Sequence, residues 1–335
     1  RHLRCRWATR RSASKPKSGR RHDGSGVGEL DAPATMADMP SISIEDIERH
    51  APDVLLPPDP EFAEDYARKV ELGRTFAAEA RVALVAICRN AMPWLPRTLD
   101  LVERTGACFK SWSAFVFEND STDGTKEVLA AWADGDRRKV SLNINHRPHL
   151  SHTIAQERTV ALAEYREQCQ HWVRSREPVD YVIVFDTDPW GGFSIDGVMN
   201  SIAWMSLDRS WYGLASYSWC EMNTAIGPVA AHYDAFALRW NHWQRRDQQW
   251  VHHWMPAVGS PPVEFNSAFG QLCVYRAGPY LAGKYGGADC EHVVLHRSIA
   301  EQARLWSDEH YRLGLNPSSR AVSFWVPNGG QDSND

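Results

Sequence analysis

From Arg81 onward the chain repeats one pattern: a short apolar run, a polar turn, then a stretch with helical periodicity. Runs at 82–88, 113–118, 140–145 and 181–185 read as strands, and 95–105, 125–133 and 154–170 read as the helices between them. Strands separated by helices are joined by right-handed crossovers, which return each strand parallel to the last. The pattern predicts an α/β fold, a mostly parallel Rossmann-like sheet flanked by helices. Ahead of it, Ser43-Ile44-Glu45-Asp46 has the form of a capping box opening a short helix in 41–51. A further helix is expected over 61–80, with Pro57, Pro58 and Pro60 separating the two.

The fourth run carries the strongest chemical signal. Tyr181-Val182-Ile183-Val184-Phe185 ends abruptly in Asp186-Thr187-Asp188, so two carboxylates emerge at the carboxyl end of a buried strand. Open α/β sheets bind ligands at that edge, and hard carboxylate oxygens there suit Mg²⁺ or Mn²⁺ with positions left for phosphate oxygens. The implied ligand is a nucleotide diphosphate. Taken alone the tripeptide reads more often as a solvated strand end or cap; its place after Val-Ile-Val-Phe, Pro189, which stops the ladder, and Gly191-Gly192, which allow close approach, favour the site.

Phe117-Glu118-Asn119-Asp120-Ser121-Thr122-Asp123-Gly124-Thr125 is the second signal. A strand ends in Glu118, and acceptors able to meet ribose or base, Glu118, Asn119 and Asp120, fall at the same expected edge as Asp186. Arg89 and Asn90 follow the first strand and share that position, and Arg158 on the third helix is a candidate for the diphosphate. Thr187 lies within the acidic tripeptide and joins the donor-binding set. The third signal is Gly286-Gly287-Ala288-Asp289-Cys290-Glu291-His292-Val293-Val294-Leu295-His296, with Asp289 at the cap of a helix and Glu291 in its first turn.

Composition narrows the classes. With 335 residues, 43% hydrophobic and 24% charged, the chain can bury a large core, and no run approaches the roughly 18–20 apolar residues of a membrane span. Arg1–Arg21 holds nine basic residues and no acid, leaving 28 basic against 42 acidic residues elsewhere, which disfavours nucleic acid as a partner. The 7 cysteines include no Cys-X-X-Cys, consistent with a reducing compartment and a cytoplasmic location. Residues 1–40 are expected to be a disordered basic tail: a targeting segment to an organelle, a membrane-touching tail, or sequence upstream of a true start at Met36. A short disordered tail is expected at 327–335 as well.

After Gly192 the pattern loosens and aromatics accumulate: Trp204, Trp211, Trp219, Trp240, Trp243, Trp250 and Trp254, with His242, His252 and His253. Aromatic faces can bind sugar rings, but packing is the commoner fate of a single Trp.

The first strand with its Arg89-Asn90, the Glu118–Thr125 turn and Asp186-Thr187-Asp188, in that order, resemble the GT-A nucleotide-sugar glycosyltransferases over about residues 81–300. In family-2-like members the turn carries two acids and then Gly; here Glu118 and Asn119 stand at the acidic positions and Asp120 replaces the Gly. Tyr233–Arg239 looks like a segment of the capsule-associated mannosyltransferase-like branch, and reads equally as a plain strand with Arg239 capping an edge.

The resemblance implies a metal-dependent transferase of the hexosyltransferase class, moving a sugar from a GDP- or UDP-sugar donor to a glycan or glycoconjugate acceptor. It implies a nucleotide-binding half at 81–192 and an acceptor-binding half at 193–326, preceded by a helical extension at 41–80. Asp186 and Asp188 would hold Mn²⁺ or Mg²⁺ with His296 as a further ligand, and Asp289, with Glu291 as its competitor, would be the catalytic base. A nucleotidyltransferase acting on sugar phosphates is the first rival, although Cys88-Arg89-Asn90-Ala91-Met92-Pro93 lacks the Gly-rich loop such enzymes carry. A non-catalytic carbohydrate-binding protein of the same fold is the second.

Overall fold

Strand β1 (Arg81–Cys88) is the axis of the fold: β2 (Ser111–Asn119) pairs with it in parallel on one side and β4 (Tyr181–Asp186) on the other. The computed structural model describes residues 42–324 except 134–138, 145, 151–152, 154, 225–226, 242–251, 253 and 307–310. The expected tails at 1–40 and 327–335, and Trp243, Trp250, His242 and His253, lie outside the described residues. Strand β3 (Lys139–Ile144) continues the parallel set beyond β2.

On the far side of β4 the sheet becomes mixed. β9 (Leu272–Arg276) runs antiparallel to both β4 and β6 (Trp211–Thr224), and β10 (Arg312–Val322) returns parallel to β6 before β5 (Gly192–Phe193) closes that end. β7 (Gly227–His232) pairs with β6, and β8 (Val263–Phe265) with β10. The expected α/β architecture, parallel strands flanked by helices, is therefore found, joined to a mixed half that the sequence pattern did not resolve into strands.

Helices cover both faces of the parallel half, which is why its strands read as unbroken apolar runs. Leu84, Ala86, Ile183 and Phe185 pack with Leu99 and Val102 of α4 (Leu95–Gly106) and Val198 and Ile202 of α7 (Ile195–Leu207). On the other face lies α6 (Gln156–Arg174), whose Trp172 stacks on Phe115 and Tyr165 on Phe117, with centroids 5.2 and 5.1 Å apart. Each such buried ring or branched side chain contributes about 1.5–3 kcal/mol.

The N-terminal helices are fastened to this body. Ser43 caps α1 (Ile44–Arg49) in the expected box with Asp46. Helix α3 (Ala63–Ala77) packs on α7 at Gly73, where a Cβ would lie 1.8 Å from the Met199 carbonyl oxygen. The fully buried Arg320 of β10 donates to Leu56 O at 2.6 Å and Tyr66 Oη at 2.7 Å. No helix among the described residues is long and apolar enough to cross a membrane.

Chain direction sets the place of the site. From β1 one crossover, through α4, leads to β2, and the crossover through α6 leads to β4 on the opposite side. Diverging crossovers leave a crevice beyond the carboxyl ends of β1 and β4, where an α/β sheet accommodates a ligand.

Candidate functional site

The strand register brings the separated acids to one edge. Glu118 stands opposite Cys88 and Asp186 opposite Ile87, so Glu118, Asp186 and Asp188 all lie at the carboxyl edge of three adjacent parallel strands. The buried Cys88 thiol lies between them: burial raises its pKa, Thr187 hydrogen-bonds it, and the charges of Asp188 and Glu118 act on it. Three non-glycine residues with left-handed backbone sit at the same edge, Asn90 (φ 47°), Asp120 (φ 56°) and Gln271 (φ 64°). Gln271 O accepts from Asp186 N at 2.8 Å. Such strained positions persist where surrounding bonds over-determine them.

Hydrogen bonds hold the first two of these turns. Asn90 N donates to Ser121 Oγ at 2.9 Å and Asn90 Oδ1 accepts from Thr122 N at 2.8 Å. Ala91 N donates to Thr125 Oγ1 and Met92 N to Asp123 Oδ2, each at 2.9 Å. The loop after β1 and the turn after β2 thus interlock.

Several residues expected to face a donor serve this framework instead. Asn119 Nδ2 donates to Asp120 Oδ2 at 3.1 Å, as does Arg147 N at the same distance. Burial acts to raise Asp120, but these bonds and the Arg89 charge prevail and hold it below the usual carboxylate range. Arg89 clamps the following segment by donating to Pro148 O at 2.7 Å, and Thr187 is buried. Glu118 differs: it is fully buried, Oε1 accepts from Ser121 N at 2.8 Å, and Oε2 has no partner.

A second group of acids surrounds Asp186. Arg166 of α6, buried on the apolar stripe of its helix, places Nη2 2.8 Å from Asp186 Oδ1 and Nε 3.9 Å from Glu291 Oε1. Burial raises Asp186 and Glu291 against the pull of Arg166. Asp188 is solvent-exposed at the crowded strand end, and the surrounding protein followed by the Asp186 charge raises it to about 6. Asp234 rises to about 6 for the same two reasons.

Asp234 is aimed by backbone donors, among them Gly270 N at 2.9 Å. Gly270 has φ 60°, and a Cβ there would lie 1.8 Å from Ser216 O. Arg158, exposed near the start of α6, lowers Asp186, Asp188 and Glu291 through its charge.

The third constellation divides. Helix α8 (Ala277–Ala282) leads through the Gly286-Gly287 turn to α9 (Glu291–Trp306), and Glu291 stands in its first turn as expected. Asp289 Oδ1 accepts from Arg239 Nη2 at 2.9 Å and from Cys290 N at 2.8 Å, with the side chain 23% exposed and Oδ2 outside these bonds. Arg239 is fully buried and bridges Ser267, and Tyr233–Arg239 forms a turn rather than the alternative plain strand.

His296 departs from its expected role. It is fully buried, with Nδ1 2.8 Å from Ser267 Oγ and Nε2 2.8 Å from Tyr275 Oη, so both nitrogens serve the core rather than a cation.

Among the described residues no three His, Cys, Asp or Glu side chains converge as a complete metal cage. Two hard carboxylates, Asp186 and Asp188, repel each other, a donor set that a divalent cation would fit with further oxygens supplied by a ligand. A groove of about 550 Å³ opens at the amino end of β1 and β2, between Arg81, Trp112 and Glu177, away from these acids.

The sequence reading missed Arg166 and Asp234. Arg166 lies three after the buried Ala163 and four before the buried Gln170, on the inward stripe of its helix. That spacing was the available signal. Asp234 had none beyond its place in the Tyr233–Arg239 segment. Of the noted tryptophans, Trp204 lies under Lys69 Nζ at 4.4 Å, Trp211 under Arg312 at 3.9 Å, and Trp219 against Tyr217 at 4.8 Å, all packing roles.

No family model and no curated protein matches the chain. Among solved structures it is similar to the mannosyltransferase PcManGT of Pyrobaculum calidifontis in complex with GDP-Man and Mn²⁺, at 14% identity and TM-score 0.44 over 80% of this chain and 65% of that one. It is similar to GalNAc-T7, solved with UDP, GalNAc and Mn²⁺, at 13% identity and TM-score 0.49 over 82% of this chain and 55% of that one. TarS 1–349 of S. aureus aligns at 9% identity and TM-score 0.42, over 73% and 60%. The chain spans less than two thirds of each of these proteins.

Proposed function

We propose that this chain is a metal-dependent glycosyltransferase that moves a hexose from a nucleotide-diphosphate donor, a GDP- or UDP-sugar, to a hydroxyl of a glycan or glycoconjugate. The carrying observation is the shared carboxyl edge: a buried Glu118 with one oxygen free of protein partners, two strands away from the crowded Asp186 and Asp188 pair.

Glu118 Oε2, now closed from solvent, would accept from a ribose hydroxyl or a base N–H once the turn over it admits the nucleotide. The loops interlocked around Asn90 and Asp120 hold that carboxylate still. Asp186 and Asp188 would hold Mn²⁺ or Mg²⁺, with Arg166 orienting Asp186 and favouring its ionised form against burial. When bound, the cation supplies positive charge against the departing diphosphate. Asp289, fixed through Oδ1 by Arg239, keeps Oδ2 to take the proton of the attacking hydroxyl. Both Glu291 oxygens lean on neighbours, Oε1 on Arg166 and Oε2 on the Cys290 thiol, which suits a supporting role.

Calorimetric titration with GDP and UDP, with and without Mn²⁺, tests the reading, followed by hydrolysis assays across UDP-, GDP- and CMP-sugars. Metal-dependent binding of at least one nucleotide is expected. Binding of none, or binding indifferent to Mn²⁺, would refute it.

A further inference from the structure

We infer that a row of four aromatic rings beside the acids is the acceptor subsite and that it takes a neutral glycan, gripped through the apolar faces of its pyranose rings; this rests on the transferase reading above. Trp94 and Trp190 stack with centroids 5.4 Å apart and planes 22° from parallel. Phe324 meets Trp190 edge-on at 6.5 Å, and Tyr233 meets Phe324 at 5.5 Å and 88°. The row is continuous although its members come from four places: the cap of α4, the turn after β4, the end of β10 and the turn after β7.

The row borders the carboxylates. Trp190 follows Asp188 by two residues, and Tyr233 immediately precedes Asp234. Surrounding protein first, then the charges of Asp188, Asp234 and Asp186, raise the phenol of the largely exposed Tyr233, so those acids lie near this residue. Core rings of this protein, such as Phe185, Tyr275 and Tyr280, are wholly buried. Tyr233 is 46% exposed, and Trp94, Trp190 and Phe324 are half-buried, so this row does not complete a core.

The backbone beneath the rings is fixed. Trp190 N donates to Ser323 O at 2.9 Å, Gly191 N to Val322 O at 3.0 Å, and Tyr233 N to Ser218 O at 2.9 Å. Pre-positioned rings lose little entropy when a ligand arrives.

Flat apolar faces next to hydrogen-bond acceptors match one ligand class. A pyranose carries C–H groups on its faces and hydroxyls at its rim, so faces stack on rings while hydroxyls reach Asp188 and Asp234. Charge selects further. Acids and not cations flank the row in the chain, Asp188 before Trp190 and Asp234 after Tyr233, so an anionic saccharide meets like charge where a neutral one does not.

The full chain, with Mn²⁺ and either GDP or UDP, is titrated with maltose, cellobiose and mannobiose, followed by tryptophan fluorescence and saturation-transfer NMR. At least one disaccharide should bind, with saturation strongest at ring C–H protons. Trp190→Ala and Tyr233→Ala should each weaken it about tenfold or more, and Trp190→Phe should recover most of the loss by restoring a ring face. Cellobiuronic acid, the anionic counterpart of cellobiose, should bind more weakly than cellobiose. Absence of binding by all three neutral sugars, or unaltered affinity in both alanine variants, overturns the subsite. Nucleotide titration in the same samples separates the two readings: nucleotide binding without sugar binding sinks the subsite alone, whereas sugar binding without nucleotide binding sinks the transferase.

Discussion

Arg166 Nη2 lies 2.8 Å from Asp186 Oδ1, on a guanidinium only 3% exposed, so the first acid of the strand-end pair is tied to the interior of α6. Removing the guanidinium leaves the Asp186 carboxylate, 27% exposed, without its partner, a loss of up to about 3–5 kcal/mol. Arg166→Met should therefore lower stability by that order in denaturant titrations at neutral pH. Adding Asp186→Asn should restore part of it, because the uncompensated charge is gone. Equal stability of Arg166→Met and the parent chain would show that the pair does not couple helix to strand.

Asp188 has the opposite character. Burial and the Asp186 charge oppose its ionisation, so Asp188→Asn should leave the metal-free protein as stable as before or raise its melting temperature above pH 7. The same variant should lose Mn²⁺-dependent nucleotide binding in calorimetry. Retained metal-dependent binding would remove Asp188 from the cation site.

Asp289→Asn should retain nucleotide and metal affinity while slowing transfer by about 10²–10⁴, the range for losing general-base assistance. Glu291→Gln should act more mildly on rate. Single-turnover transfer assays decide the order, and a slower Glu291→Gln would pass the role to Glu291.

His232 supplies a pH test away from the acids of the strand end. It is buried, and burial with the charge of His252 lowers its pKa to about 3 from an ordinary value near 6.5. The unfolded chain binds the proton more readily between those values, so the stability of the neutral ring is complete above about pH 6.5 and is lost as pH falls toward 3. At pH 5 the loss is about 2 kcal/mol. His232→Phe should thus gain stability relative to the parent chain as pH is lowered from 7.5 to 5. Parallel curves for the two proteins would show that His232 is not excluded from protonation.

Much of the parallel half was legible because its signals are local. Val82–Cys88 and Tyr181–Phe185 are continuous apolar runs since both faces are covered, and Ser43 with Asp46 spells its own cap within four residues. Right-handed crossovers then determined from sequence alone that the strand-end acids would meet at one edge. The roles of individual side chains depended on partners distant in the chain, and only the tertiary structure decided them. Arg166 is an ordinary helical arginine until β4 brings Asp186 beneath it, and His296 has the form of a ligand until β9 brings Tyr275 to its ring. The ring row of Trp94, Trp190, Phe324 and Tyr233 has no sequence signature at all, since it exists only where four loops converge.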